Sequence, residues 1–341
     1  MDRYKTTDYS SLSANEASNI EPASGEAPSQ APTQTRPFVD STDLLDDPVA
    51  LRERALSQGY LFFKQLLPAA DLAPVRDDLL NVVDAHGWLD RSQPKQAAVV
   101  NVPFINETQD IHMRTDIGVS NAMYDDVQKL LSVHKLPHHP QLLRVFEMLF
   151  GQEVLVHPRH IVRLVTPHRS IVATPPHQDH PLIQGTEKTW TCWFPVMDCP
   201  KKLGGLTVLQ GSHKLGCLPI QPAKGAGGIT SALCPNDGQG WAEGDFQMGD
   251  VLTFTSTTVH KALRCEFPNR IRLSFDVRYQ PAAEDVETRS ILPHCELDWE
   301  DIYAGWPETE EAKALQYYWR KHALQMSEYD ESLRVPGRRI C

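Results

Sequence analysis

The chain has 341 residues, 41% of them hydrophobic, and a formal net charge of −11. That is enough apolar material for a large β-rich core, while the acidic balance argues against a nucleic-acid backbone as partner, which would need a basic patch. No run of eighteen apolar residues occurs and the first residues carry no apolar h-region, so neither a membrane span nor a secretory signal is expected.

Residues 1–36 are rich in Ser, Thr, Pro, Ala and Glu and almost devoid of large apolar side chains, so the expectation is a disordered tail. Asp46-Asp47-Pro48 puts a capping residue before a first-turn proline; the helix it starts should run to Gln58 and stop at Gly59. Tyr60-Leu61-Phe62-Phe63 reads as a strand, Ala69 to His86 as a second amphipathic helix, and residues 125–150 as further helix. Short strands and turns then dominate to about residue 285, broken by a glycine-rich loop over 223–248, a candidate lid. Residues 308–330 return to helix. Helices followed by runs of strands suggest layered α+β organisation, not alternating βαβ units. The seven cysteines are odd in number and lack C-x-x-C spacing, which reads as reduced thiols in a cytoplasmic protein.

The chemistry concentrates in His177-Gln178-Asp179 and in His260, which follows Asp179 by 81 positions. Thr174-Pro175-Pro176 is a breaker-rich lead into a strand, and on a strand His177 and Asp179 share a face while Gln178 points away. Two imidazoles and one carboxylate form the triad that holds Fe(II) and leaves coordination positions open for small molecules. Gly249-Asp250 makes a turn, Val251-Leu252-Thr253-Phe254 a strand, and His260 lies just beyond. From Arg270 to Tyr279 the pattern alternates strictly, with Arg270, Arg272, Ser274, Asp276 and Arg278 on one face. That polar face is either solvated or lines a cavity. In a cavity, Arg272 and Ser274 can hold a dicarboxylate through a planar fork and a hydroxyl.

The ordered set of H-x-D, Gly204-Gly205-Leu206-Thr207-Val208-Leu209-Gln210-Gly211-Ser212-His213, Gly-Asp, His260 and R-x-S resembles the phytanoyl-CoA dioxygenase family over roughly residues 45–285. The resemblance implies a mainly β fold with flanking helices: a double-stranded β-helix (jelly roll, cupin-like). Its domain would span 37–300, with 301–341 as a helical extension packed on it. It implies Fe(II) held by His177, Asp179 and His260, with 2-oxoglutarate and O2 as cosubstrates. The arginine for the far carboxylate of 2-oxoglutarate usually falls about eleven residues after the second histidine, and that slot here is Ile271. Pattern alone leaves Arg270 and Arg272 open; the R-x-S pairing of related oxygenases favours Arg272. The family often has an aromatic residue beside the cosubstrate, which matches Trp193, although a core tryptophan has the same signature. A halogenase is disfavoured because Asp179 fills the seat that halide would need.

Other histidines invite plainer readings. His134, His138 and His139 read as surface residues, and His157 and His160 point to opposite faces of an extended segment, which disfavours a second metal site. His180 adjoins the triad with the wrong parity. Gly211-Ser212-His213 reads as a turn with structural service near the site. The resulting expectation is a dioxygenase that hydroxylates an unactivated C–H bond of a small molecule, releasing succinate and CO2. The alternatives are a desaturating, epimerising or ring-forming outcome, a jelly-roll binding protein without catalysis, and a zinc hydrolase. The intact ligand set with its arginine speaks against the second, and the lack of a glutamate base beside the ligands against the third. Oligomeric state is not legible in the sequence.

Overall fold

Local chemistry starts the helices where the sequence places them. In the computed structural model, which describes residues 34–231 and 240–334, Asp47 accepts hydrogen bonds from Val49 and Ala50 at the head of the helix Pro48–Gln58. Gly59 ends that helix in a left-handed conformation (φ 77°). A Cβ there would stand 2.2 Å from His213 Nδ1, so turn and neighbour both require glycine. The helix Ala69–Ala85 buries Leu72, Val75, Leu79, Leu80 and Val83, the amphipathic face its spacing predicts.

Among the described residues, the core strands form two sheets, beside three small two-stranded pairings. The larger runs Tyr60–Phe63, Val251–Thr255, Trp190–Pro195, Arg272–Pro281; Val154–Val156 and Ile161–Val165 both pair with the last of these. The smaller runs Thr35–Pro37, Trp241–Glu243, Leu206–Leu209, His260–Ala262. From residue 190 onward the chain crosses repeatedly between the two sheets, which makes the core a double-stranded β-helix with helices against the larger sheet. The strand Arg272–Pro281 is buried along its whole length. Its apolar face meets the helices, with Tyr279 stacked on Phe146 at 3.9 Å. Its polar face therefore looks into the space between the sheets and is not solvated.

Three expectations change. Thr35–Pro37 is not tail but an edge strand paired in parallel with Trp241–Glu243; residues 1–33 lie outside the described residues. The glycine-rich loop contains a hairpin, Ile220–Pro222 with Ile229–Ser231, and residues 232–239 of it lie outside the described residues. The helix expected over 308–330 is broken: only Glu310–Leu315 is α-helical, Tyr317 sits at φ 50°, and Tyr318–Lys321 is a 3-10 turn. Consecutive helical residues fan out around the axis, so Tyr317, Tyr318 and Trp319 could not all face one cluster from a straight helix. Breaking it lets all three join Trp299, Tyr303 and Trp306 in a second core. No described helix is long and apolar enough to cross a membrane.

Candidate metal centre

His177, Asp179 and His260 each present a ligand atom within 4.8 Å of the others, and all three are buried. They form the only such cluster among the described residues. The expected strand at His177 is a single bridge to His260, with the two backbones exchanging 2.9 Å hydrogen bonds. The chain then turns straight into the short helix His180–Ile183, with Asp179 at its cap. Convergence survives because the bridge fixes one imidazole beside the other (ring centroids 4.2 Å apart) while the turn carries Asp179 inward. Gln178 does point away: its amide donates to the carbonyls of Gly216 (2.8 Å) and Thr257 (2.5 Å) and accepts from Leu218 N (2.7 Å).

Backbone carbonyls set the imidazole tautomers. His177 Nδ1 donates to Pro175 O (2.9 Å) and His260 Nδ1 to Thr258 O (3.1 Å). A carbonyl only accepts, so each Nδ1 carries the proton and each Nε2 offers its lone pair. Those Nε2 atoms lie 3.6 and 3.7 Å from Asp179 Oδ1. Burial, then the neighbouring His177, pushes His260 down to about 4, which keeps it in the neutral, ligating form. Asp179 divides its oxygens: Oδ2 accepts from Thr191 Oγ1 at 2.5 Å and lies 3.5 Å from Arg278 Nη2, leaving Oδ1 toward the histidines. Burial alone would raise its pKa, but the Arg278 guanidinium and the two imidazoles hold it well below the usual carboxylate range. Sequence reasoning missed Thr191 and the role of Arg278; the only signal was that Arg278 shares a strand face with Arg272.

Beside the triad lies a small cavity walled in part by Trp193, Thr191, Arg272, Asp276 and Arg278. Arg272 is buried and donates to Gly204 O, and its guanidinium lies 5.8 Å from the Trp193 ring centroid. Trp193 is fully buried, so it serves as core residue and cavity wall together. Arg272 Nε, Ser274 Oγ and Trp193 Nε1 are all buried without a partner. Burying donors unpaired is costly, and an oxyanion against this wall would offer Arg272 Nε and Trp193 Nε1 an acceptor. Arg270 is only half-buried, bridges to Val99 and packs its guanidinium near Phe267, away from this cavity. The donor set fits Fe(II): two imidazoles and one carboxylate, with a cavity lined by Asp179 and His260 beside them.

The remaining candidates fall elsewhere. Ser212 Oγ accepts from Val259 N at 2.8 Å, steadying the backbone next to His260. His180 lines neither cavity. Of the histidines read as surface residues, His134 is buried and His138 and His139 are half-buried; His157 and His160 are buried as well. His134 packs against Trp299 and Trp306, and His138 lies edge-on to Tyr318 at 4.3 Å. Cys192, Cys199, Cys217, Cys265 and Cys295 are free thiols.

The sequence profile for phytanoyl-CoA dioxygenase matches residues 56–266, more than half of the chain. The 1-deoxypentalenic acid 11-beta-hydroxylase of Streptomyces exfoliatus is 25% identical over 269 residues, covering 75% of this chain and 89% of the hydroxylase. Among solved structures, the non-heme alpha ketoglutarate dependent epimerase SnoN from nogalamycin biosynthesis aligns with a TM-score of 0.48 at 20% identity, over 70% of this chain and 85% of that one. The carbocyclase SnoK from the same biosynthesis gives 0.47 at 18% identity, over 70% and 85%. On the profile match and the His-Asp-His centre, this chain belongs to the phytanoyl-CoA dioxygenase family, oxidoreductases that work with iron, 2-oxoglutarate and O2.

Proposed function

We propose that this protein is an Fe(II)/2-oxoglutarate-dependent dioxygenase that hydroxylates an unactivated C–H bond of a small molecule, a metabolite or natural-product intermediate, in the cytoplasm. The observation that carries the reading is the adjacency of two half-sites. Two Nε2 lone pairs and Asp179 Oδ1 converge on one point, and the unpartnered donors of Arg272 and Trp193 lie in the neighbouring wall, with the unpartnered Ser274 Oγ two residues along the strand from Arg272. His177, Asp179 and His260 would hold the iron; Arg272 and Ser274 would grip the far carboxylate of 2-oxoglutarate, with Trp193 against its side. When bound, iron, 2-oxoglutarate and O2 supply the oxidising chemistry: one oxygen atom enters the substrate C–H bond and the other leaves in succinate, with release of CO2.

The protein's own work is positioning. Pro175 and Thr258 carbonyls keep both imidazoles in the ligating tautomer, and Thr191 with Arg278 fixes which oxygen of Asp179 faces the metal. The Gly204 carbonyl aims the Arg272 guanidinium. Burial of the centre excludes water from the reacting atoms. The similarity to a hydroxylase at 25% identity favours hydroxylation over desaturation, epimerisation or ring closure. The test is succinate formation by anaerobically iron-loaded protein given 2-oxoglutarate and then O2, across a metabolite panel. We expect succinate and oxidised product in equal amounts with the true substrate. Succinate no higher than in a metal-free control would sink the reading.

A further inference from the structure

The small cavity beside the triad adjoins a larger one of about 650 Å³, and the two share Arg163, Thr174, Ala262 and Arg272 as common walls. That volume suits a ligand of drug-like size. Its wall mixes apolar side chains, among them Val165, Ile171, Val172, Leu203 and Phe267, with a larger share of polar and charged ones.

The charges do not balance. The small cavity is lined by three guanidiniums, Arg163, Arg272 and Arg278, against two carboxylates, Asp179 and Asp276. On the reading proposed above, on which this inference rests, a dication and a dianion are added and cancel each other. One positive charge is left over in a buried space, where an uncompensated charge is expensive. The outer cavity does not supply the missing anion. Asp116 is engaged by Arg114 at 2.8 Å, and Glu266 is exposed and shares the rim with Arg264.

Arg163 is the guanidinium placed to receive it. It stands on the strand Ile161–Val165 and, apart from Arg272, is the only arginine lining both cavities. Its Nε donates to Asp276 and its Nη1 to the Asp116 carbonyl, so the fork is held rigid. The remaining Nη2 meets no protein acceptor among the described residues, and the side chain retains 17% of its exposure. A rigid guanidinium with one free edge, at the junction of the triad's cavity and a larger chamber of mixed lining, is suited to an oxyanion. We infer that the substrate is a small molecule bearing a single carboxylate, anchored by Arg163. A CoA thioester would bring several phosphate charges where only one is called for, so the free acid is the expected form.

The test uses the full chain loaded with redox-inert Mn(II) and 2-oxoglutarate, and reads binding by calorimetry and thermal shift. The probes are abietic acid and adamantane-1-carboxylic acid, each beside its primary amide and methyl ester, with decanoyl-CoA as a further arm. At least one acid should bind about tenfold or more tightly than its amide and ester, the effect of a charge-assisted bond, and decanoyl-CoA should not compete. The preference should collapse in Arg163→Gln. Because that variant strands Asp276, the double variant Arg163→Gln/Asp276→Asn, which removes both partners, provides a second reading. Equal binding of acid and amide, a preference that survives in both variants, tighter binding of decanoyl-CoA, or no binding of either acid while 2-oxoglutarate binds normally would each overturn the inference. Failure of Mn(II) and 2-oxoglutarate to bind at all would instead remove the functional reading beneath it.

Discussion

Gln184 and Asp330, far apart in sequence, close a reciprocal pair: Gln184 Nε2 donates to the Asp330 carbonyl at 2.9 Å, and the Asp330 amide donates to Gln184 Oε1 at 2.6 Å. Next to it, Tyr329 donates its hydroxyl to Pro181 O, and the Arg289 guanidinium lies 3.3 Å over the Tyr329 ring while also reaching Leu182 O. The late chain thus clasps the helix His180–Ile183, which begins directly after the ligand Asp179. Gln184 itself is held at φ 58°, ψ −149°, a region natural only to glycine.

This gives a paired prediction. Gln184→Ala and Gln184→Gly both lose the clasp, and we expect Fe(II) affinity, measured by chelator competition, to drop about tenfold in each, the effect of losing outer support of a ligand. Gly should melt higher than Ala, because only Gly relieves the backbone strain. Unchanged iron affinity in both variants would show that the clasp does not position Asp179.

Thr191→Val removes the 2.5 Å hydrogen bond to Asp179 Oδ2 and preserves side-chain shape. Iron affinity should fall roughly ten- to a hundredfold. The folded state should survive, since the chain on either side is fully paired within the larger sheet. Wild-type iron retention would mean that Arg278 alone orients the carboxylate.

The two arginines separate by burial. Arg272→Leu should weaken 2-oxoglutarate binding by about 2–5 kcal/mol, roughly thirty-fold or more, because a carboxylate would lose its buried partner. Arg270→Leu, half-buried and directed elsewhere, should do far less. Isothermal titration with 2-oxoglutarate compares them, and the reverse order would hand the role to Arg270.

Acid stability should report the buried histidines. Burial pushes His134, His138 and His157 from 6.5 to about 4, and His160 well below 6.5. The folded protein then resists protons that the unfolded chain accepts. Stability is full above pH 6.5 and is lost as the pH falls toward 4, at about 3 kcal/mol for each of the first three groups. Urea midpoints should fall steeply between pH 7 and 4.5, and less steeply in His134→Gln and His157→Gln. Equal pH slopes in wild type and variants would contradict this account.

What the sequence made legible was mostly local. Asp47-Pro48 with Gly59, the alternation from Arg272 to Tyr279, and the H-x-D triplet with a distal histidine each carry their meaning within a few residues. The strand drawn through His177 was wrong in its backbone yet right in its result, because one bridge to His260 does the aligning. The histidines at 134 and 138 were misread for the opposite reason. What covers them is an aromatic cluster more than 160 residues later in the chain, and no local pattern announces that. The break at Tyr317 follows from the same cluster: tertiary packing overrides a run that is helical by composition.

The most direct measurement is anaerobic titration of 2-oxoglutarate into the Fe(II)-loaded chain, followed by the visible metal-to-cosubstrate charge-transfer absorbance. A saturable band should develop in wild type at one equivalent of iron, be absent in Asp179→Ala, and in Arg272→Leu require roughly thirty-fold or more 2-oxoglutarate. No band in the wild type, or a band of full strength in Asp179→Ala, would mean that His177, Asp179 and His260 do not hold the iron to which 2-oxoglutarate binds.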